Sequence, residues 1–367
     1  MDGLHGALDN YFYEGEMWMV DVASYYPNMM INFNLTPRSQ KDPNAFKNLV
    51  QRRMDIKNSI KQYKAEGKEK EAKHAKTLSN ILKLPINTVS GCMKASFSKL
   101  YDQKHNNYMC ITGQLLLIDL IEHLEPYCKL IQSNTDGILI IPYNKEMCDI
   151  EIKNWEQKTG LFMEKTVATK IFQKDVNNYI MLNEDGKIKV KGGYVAQYYN
   201  DEGGETHIRR NLEIIDKAIV DFLLYNIPVE KTITNPNNLV LKYQIVKKLG
   251  SMYNDPILEF KDDIKSLPNR CNRIFANSDY NYGKVKKRKN GKDTWDNVEG
   301  LPDHCLVFND NIKDLTIREF NLDLDWYINL AKQKIVDYVL LPEEKTKGKK
   351  KDLNIDWHNT LIKLGRK

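Results

Sequence analysis

Residues Glu16 to Pro27, EMWMVDVASYYP, constrain the fold of this chain more than any other stretch. Four apolar residues, Met17, Trp18, Met19 and Val20, run into Asp21 and are followed by small residues, two tyrosines and a proline. A short unbroken apolar run suits a strand buried on both faces, which puts Asp21 where that strand leaves the core. A carboxylate there is costly without a cation beside it. The plainer reading is an Asp that caps the turn before Pro27. A second stretch, Lys129 to Pro142, KLIQSNTDGILIIP, sets two β-prone apolar runs on either side of Asn-Thr-Asp-Gly. Turn formers between such runs predict a hairpin with Asp136 at its tip. Two carboxylates on buried strands of one domain point to a site for a divalent metal.

The chain's 367 residues suffice for two or three domains around a sizeable core, and 41% hydrophobic residues is ordinary for a globular protein. The net charge of +6 is modest. Its distribution matters more: basic runs fall at Lys284 to Lys292 (KVKKRKNGK), at Lys345 to Lys351 (KTKGKKK) and through residues 52 to 76. Such runs serve either as solvated surface or as contacts to a polyanion. No apolar run approaches the ~20 residues that span a bilayer, and the N-terminus has no signal-peptide pattern, so a soluble, cytoplasmic protein without membrane contact is expected. The six cysteines form no CxxC pair, which argues for reduced thiols and against a zinc site.

DVASYYP (Asp21 to Pro27) resembles motif A of the family B DNA polymerases, DxxSLYP, and NTDG (Asn134 to Gly137) resembles their motif C, YGDTDS. Between them KLPINTVSG (Lys83 to Gly91) resembles motif B, KxxxNSxYG, and GLHGA (Gly3 to Ala7) is a segment that directly precedes motif A in many viral members. The three motifs stand in the family's order. The resemblance covers roughly residues 1 to 200 and is positional beyond that.

It implies an α+β, right-hand polymerase with an antiparallel β palm, two-helix fingers and a mostly helical thumb. On that reading 1–37 and 92–200 are palm, 38–91 fingers, and 201–367 thumb and basic tail. Asn44 to Ala65 and Glu69 to Ser90, separated at Gly67, read as the two finger helices. Met109 to His123 reads as a supporting helix, with Leu115, Leu116, Leu117, Ile118, Leu120 and Ile121 as core. Lys145 to Thr159 reads as helix and Leu161 to Lys174 as strand. Further helices are expected at Arg210 to Tyr225, Asn238 to Tyr253 and Ile328 to Leu340.

The resemblance further implies template-directed DNA synthesis. Asp21, Asp136 and the Val22 carbonyl would hold two Mg²⁺ ions, with Mn²⁺ a substitute. Lys83, helped by Arg53 and Lys57, would neutralise the triphosphate of a dNTP. Ser24 and Tyr25 would offer backbone N–H groups, Asn87 the pocket floor, and Tyr26 a steric gate against ribose. Tyr179, Lys189 and Lys191 would contact the primer–template DNA. Two departures stand out: Asn134 replaces the first Asp of the DTD motif, and Ser90 replaces an aromatic residue in the base-pair pocket. No exonuclease carboxylate motif precedes Asp21, so proofreading is expected to need a separate polypeptide. The competing readings are a non-catalytic or partner-dependent module that binds primer–template, and a palm that makes RNA or copies it.

Overall fold

The computed structural model describes residues 3–42, 44–192, 195, 212–259, 263–267, 269–279 and 283–339. The chain divides into two compact units, one built from Met1–Ala7 and Glu16–Ala168, the other from Leu8–Gly15 and Thr169–Lys367. Among the described residues no helix is long and apolar enough to cross a membrane.

In the first unit the chain forms β1 (His5–Ala7), the second half of β2 (Tyr11–Val22), α1 (Tyr25–Asn32), α2 (Ala45–Ala65), α3 (Glu69–Lys94) and α4 (Gln103–Leu124). Then come β3 (Cys128–Asn134), β4 (Gly137–Pro142), α5 (Lys145–Thr159) and the first half of β5 (Met163–Asp175). The sheet order here is β1-β3-β4-β2-β5, and the β1–β3, β3–β4 and β4–β2 pairs are antiparallel. Met17 to Val20 are all buried, as a strand covered on both faces requires. Of these, Trp18 and Val20 pack with Tyr25, Met29, Met109, Leu117, Leu120, Ile138, Ile140 and Trp155 in one core. Each such side chain removed from water contributes about 2 kcal/mol.

The α2–α3 turn is built on Gly67, whose φ of +69° suits a residue without a Cβ. Arg53 Nε on α2 donates to the Ser79 carbonyl on α3 at 3.3 Å, so the helices run back along each other. Pro85 lies inside α3, which nonetheless continues to Lys94, four residues past the predicted end. α4 begins at Gln103 rather than near Met109 because Asp102 caps it, accepting from the His105 N–H at 3.2 Å. Arg38 grips the same carboxylate through Nε and Nη2 at 2.8 and 2.7 Å, holding it well below the usual carboxylate range. The six apolar residues expected as core on α4 do not all go inward. Leu117 and Leu120 are fully buried, while Leu115 is 60% and Ile118 36% exposed. At about 100° per residue, seven consecutive positions circle the helix almost twice and cannot share a face.

The second unit takes the first half of β2, the rest of β5, β6 (Asn178–Asn183) and β7 (Ile188–Lys191), then α6 (Glu213–Tyr225) and α7 (Val229–Ile233). Seven short strands follow: β8 (Ile245–Lys248), β9 (Ile257–Glu259), β10 (Ile264–Ser266), β11 (Cys271–Ala276), β12 (Lys284–Lys287), β13 (Asp296–Asn297) and β14 (Cys305–Val307). α8 (Leu324–Val339) comes last. The strands form a four-stranded sheet, β10-β9-β12-β13, and a three-stranded one, β14-β11-β8. Residues 201–367 are thus not mostly helical where described. The helix expected over Asn238 to Tyr253 is instead a 3-10 turn at Val240–Tyr243 followed by β8. β-branched Ile245 and Val246 pair there with Ile274 and Arg273 of β11, and that tertiary pairing outweighs local helical composition. The expected helices near Arg210 to Tyr225 and Ile328 to Leu340 are present as α6 and α8, although Arg210 and Leu340 themselves lie outside the described residues, as does Lys345 to Lys351.

Buried Tyr243, Phe275, Tyr327 and Ile335 help form this unit's main core with the apolar face of α6. On α6, Asp216 is buried, with Lys334 Nζ on α8 4.0 Å away. Burial pushes its carboxyl up to about 7, against the pull of Lys334. The folded state therefore binds a proton here more tightly than the unfolded chain, whose Asp titrates near 3.9. Stability contributed by neutral Asp216 is full below about pH 4 and is lost as pH rises through about 7. Asp216→Asn mimics the neutral form, so its melting temperature should exceed that of the wild type at pH 8, with the advantage shrinking toward pH 5. Thermal melts across that range check it, and an advantage that grows at low pH would refute the assignment.

Candidate active site

β2 delivers Asp21 to the edge of the buried stretch, and the β3–β4 hairpin delivers Asp136 to the same place. Asp21 is the Cα partner of Gly137, and the Val22 N–H donates to the Asp136 carbonyl at 2.6 Å. Asn134 pairs with Gly137, leaving Thr135 and Asp136 as the two-residue turn. Thr135 takes φ +59°, which a primed hairpin turn demands and a β-branched residue rarely accepts. On the outer side Asn134 is also the Cα partner of His5, and the Thr135 N–H donates to the Leu4 carbonyl at 2.7 Å.

Gly137 is part of the same construction and was not singled out from sequence. A Cβ there would collide with Asp21 Oδ1 and lie 2.9 Å from both Asp21 Cγ and the Val20 carbonyl oxygen. The Asp21 carboxylate thus occupies the space that glycine leaves open. The available signal was a glycine directly after an aspartate at the start of a strand.

Beyond Val22 the chain turns sharply. The Ala23 N–H donates to the Phe162 carbonyl, and Ser24 takes the left-handed conformation at φ +50°, so that α1 starts at Tyr25. Tyr25 is buried, its hydroxyl donating to the Gly113 carbonyl at 2.6 Å, and burial raises its phenol well above the ordinary range. Its side chain is structural, and only its backbone is available to a ligand. Tyr26 is half-buried, with its ring stacked on that of Tyr25 at 5.9 Å.

Of the cations predicted from sequence, Arg53 is drawn to this turn: its Nη1 stands 3.4 Å from Ser24 Oγ. Partial burial lowers its pKa, with Glu164 opposing, but a guanidinium stays charged at any physiological pH. Lys57 pairs instead with Glu164 at 3.7 Å. Lys83 and Asn87 are exposed and follow Ser79, the residue that Arg53 touches, at successive four-residue steps along one face of α3. Ser90 Oγ donates back to the Asn87 carbonyl at 3.1 Å.

Lys189 and Lys191 on β7 are half-buried and share one face, with buried Val190 between them on the other. Gly192 follows at φ +108°, where a Cβ would lie 2.6 Å from the Asn177 carbonyl oxygen. Tyr179, the Cα partner of Lys191, is only 2% exposed. Tyr179, Ile180 and Met181 are all covered, so any contact of Tyr179 with DNA would have to be made through the little surface it keeps. In the basic run at Lys284, several cations are already engaged. Lys284 pairs with Asp303 at 2.9 Å and Lys286 with Glu259 at 2.5 Å, while Lys287 and Arg288 each lie 5.0 Å over the rings of Tyr253 and Trp295.

Among the described residues no three His, Cys, Asp or Glu side chains gather as a metal cage. Two carboxylates and a backbone carbonyl are nonetheless the hard-oxygen set that suits Mg²⁺, which keeps much of its water and shares substrate phosphates.

No protein-family model matches the sequence, and no curated protein does. The fold is matched by a solved structure, the family B DNA polymerase from the hyperthermophilic archaeon Pyrobaculum calidifontis, at a TM-score of 0.54 and 14% sequence identity. The match covers 96% of this chain and 48% of that one, so the chain spans about half the length of the polymerase it resembles. The fold of this chain is therefore similar to that of about half of a family B DNA polymerase.

Proposed function

We propose that the chain carries out template-directed DNA synthesis, transferring deoxynucleotides to a primer 3′-hydroxyl. The observation that carries this reading is the register of β2 against β4, which sets Asp21 opposite Gly137 and so beside Asp136, though the two acids lie far apart in sequence. Asp21, Asp136 and the Val22 carbonyl would hold Mg²⁺. Bound there, the metal would acidify the 3′-hydroxyl and offset charge on the leaving pyrophosphate.

The chain's own residues would do the remaining work by position and charge. The first N–H groups of α1, at Ser24 and Tyr25, face an anion favourably. Arg53, fixed beside Ser24, would neutralise phosphate oxygens, with Lys83 and Asn87 on the exposed face of α3 reaching the same nucleotide. Lys57 would first have to leave Glu164. Lys189 and Lys191 would bind phosphates of the primer–template, which makes binding independent of sequence and dependent on salt. Tyr26 would fill the room needed by a ribose 2′-hydroxyl.

Primer extension with dNTPs against rNTPs tests the reading. The wild-type protein should incorporate dNTPs in Mg²⁺, and Tyr26→Ala should narrow the preference over rNTPs by tenfold or more, about 1.4 kcal/mol of discrimination. A wild-type protein that prefers rNTPs, or extends nothing, sinks it.

A further inference from the structure

α4 has two faces of different kinds. Inward, it gives Met109, Leu117 and Leu120 to the core of the first unit. Outward, the exposed positions from Gln103 to Glu122 are Lys104, Tyr108, Ile111, Leu115, Ile118 and Glu122. These follow one another at steps of 4, 3, 4, 3 and 4 residues, the a/d repeat of a two-helix seam. A helix face that meets only water is ordinarily polar, whereas the four central positions here are apolar. The stripe runs about 27 Å along the helix. α1, α3 and α5 all pack against α4 and leave it uncovered. Its two ends carry opposite charges, and Lys104 Nζ leans over the Tyr108 ring, 5.7 Å from the centroid.

We propose that two copies of this chain associate through the stripe, α4 against α4 in antiparallel register. The stripe complements itself in that direction alone. With the twofold axis midway between Ile111 and Leu115, Lys104 of each copy faces Glu122 of the other, Tyr108 faces Ile118, and Ile111 faces Leu115. Parallel and in register, Lys104 would face Lys104 and Glu122 would face Glu122, so the same apolar layers would be bounded by two like-charge contacts. A twofold interface repeats every contact, which makes the favourable end pair count twice. The charges also hold the register, because a slip of one heptad sets Lys104 against Leu115. The inference is independent of the DNA-synthesis reading.

Sedimentation equilibrium of the full chain tests it. One helix pair makes a small interface, so association should be weak and appear between about 1 and 100 µM. Leu115→Lys puts a charge into the middle of the seam, and Lys104→Glu sets two carboxylates together at each end. Each should weaken association by about tenfold or more. Lys104→Glu combined with Glu122→Lys restores the opposite pairing with its signs exchanged, and should return association to within a few-fold of the wild type. Both reversals suit the helix dipole, an acid in the first turn and a base in the last, so α4 should keep its stability in thermal melts. Should Leu115→Lys melt early, Leu115→Gln must show the weakened association. A wild type that stays monomeric overturns the proposal and leaves the stripe to a different protein. A dimer indifferent to change at Leu115 overturns it by placing the contact elsewhere, and a double reversal that restores nothing overturns the antiparallel register.

Discussion

Asp21→Asn and Asp136→Asn should each cut primer extension by about a thousandfold or more while leaving primer–template affinity within a few-fold. Each change preserves volume and removes one unit of negative charge from a set with only two carboxylates. At about 1.4 kcal/mol per factor of ten, a thousandfold corresponds to ~4 kcal/mol, the scale expected when a cation that stabilises the transition state is lost. On the proposed function affinity for the duplex would depend on lysine contacts to phosphates and should hardly change. Single-turnover extension in Mg²⁺, paired with a binding titration, separates the two quantities. Extension that survives either substitution within tenfold would refute the site.

Gly137→Ala should give nearly the same loss with both carboxylates still present, at least a hundredfold, or about 3 kcal/mol. The added methyl meets Asp21 Oδ1 and lies 2.9 Å from the Val20 carbonyl oxygen. That oxygen belongs to a strand buried on both faces and yields little, so the cheaper relief is rotation of the Asp21 side chain away from Asp136. Gly250→Ala is the matched control, because nothing lies within 4 Å of its added Cβ. If Gly137→Ala extends primers like the wild type, Asp21 does not act from the position it holds here.

The parts that sequence made legible are those where a local pattern leaves one low-energy answer. The apolar run into Asp21 could only be a covered strand, and Asn-Thr-Asp-Gly between β-prone runs could only turn back on itself, so the meeting of β2 with the β3–β4 hairpin was foreseeable. The α2–α3 pair was equally visible from its spacing and Gly67. What escaped depended on neighbours far away in the chain. β8 forms because β11 is there to pair with it. Tyr179 is buried by covering on both faces of β6, which no window around it reveals. The split between buried Leu117 and exposed Leu115 is set by which side of α4 meets the sheet.

Pro85 has a consequence for how α3 responds to load. Its ring nitrogen has no hydrogen to give, so the Ile81 carbonyl lacks its usual amide partner four residues on. The missing rung, from Ile81 to Pro85, spans Lys83 and ends one half-turn before Asn87, the two side chains on this helix proposed to reach the nucleotide. Flexing the rod at that point has one backbone bond fewer to strain than flexing it a turn earlier or later. The helix is therefore more easily bent at this point, and on the proposed function the relative placement of Lys83 and Asn87 would change with that bend.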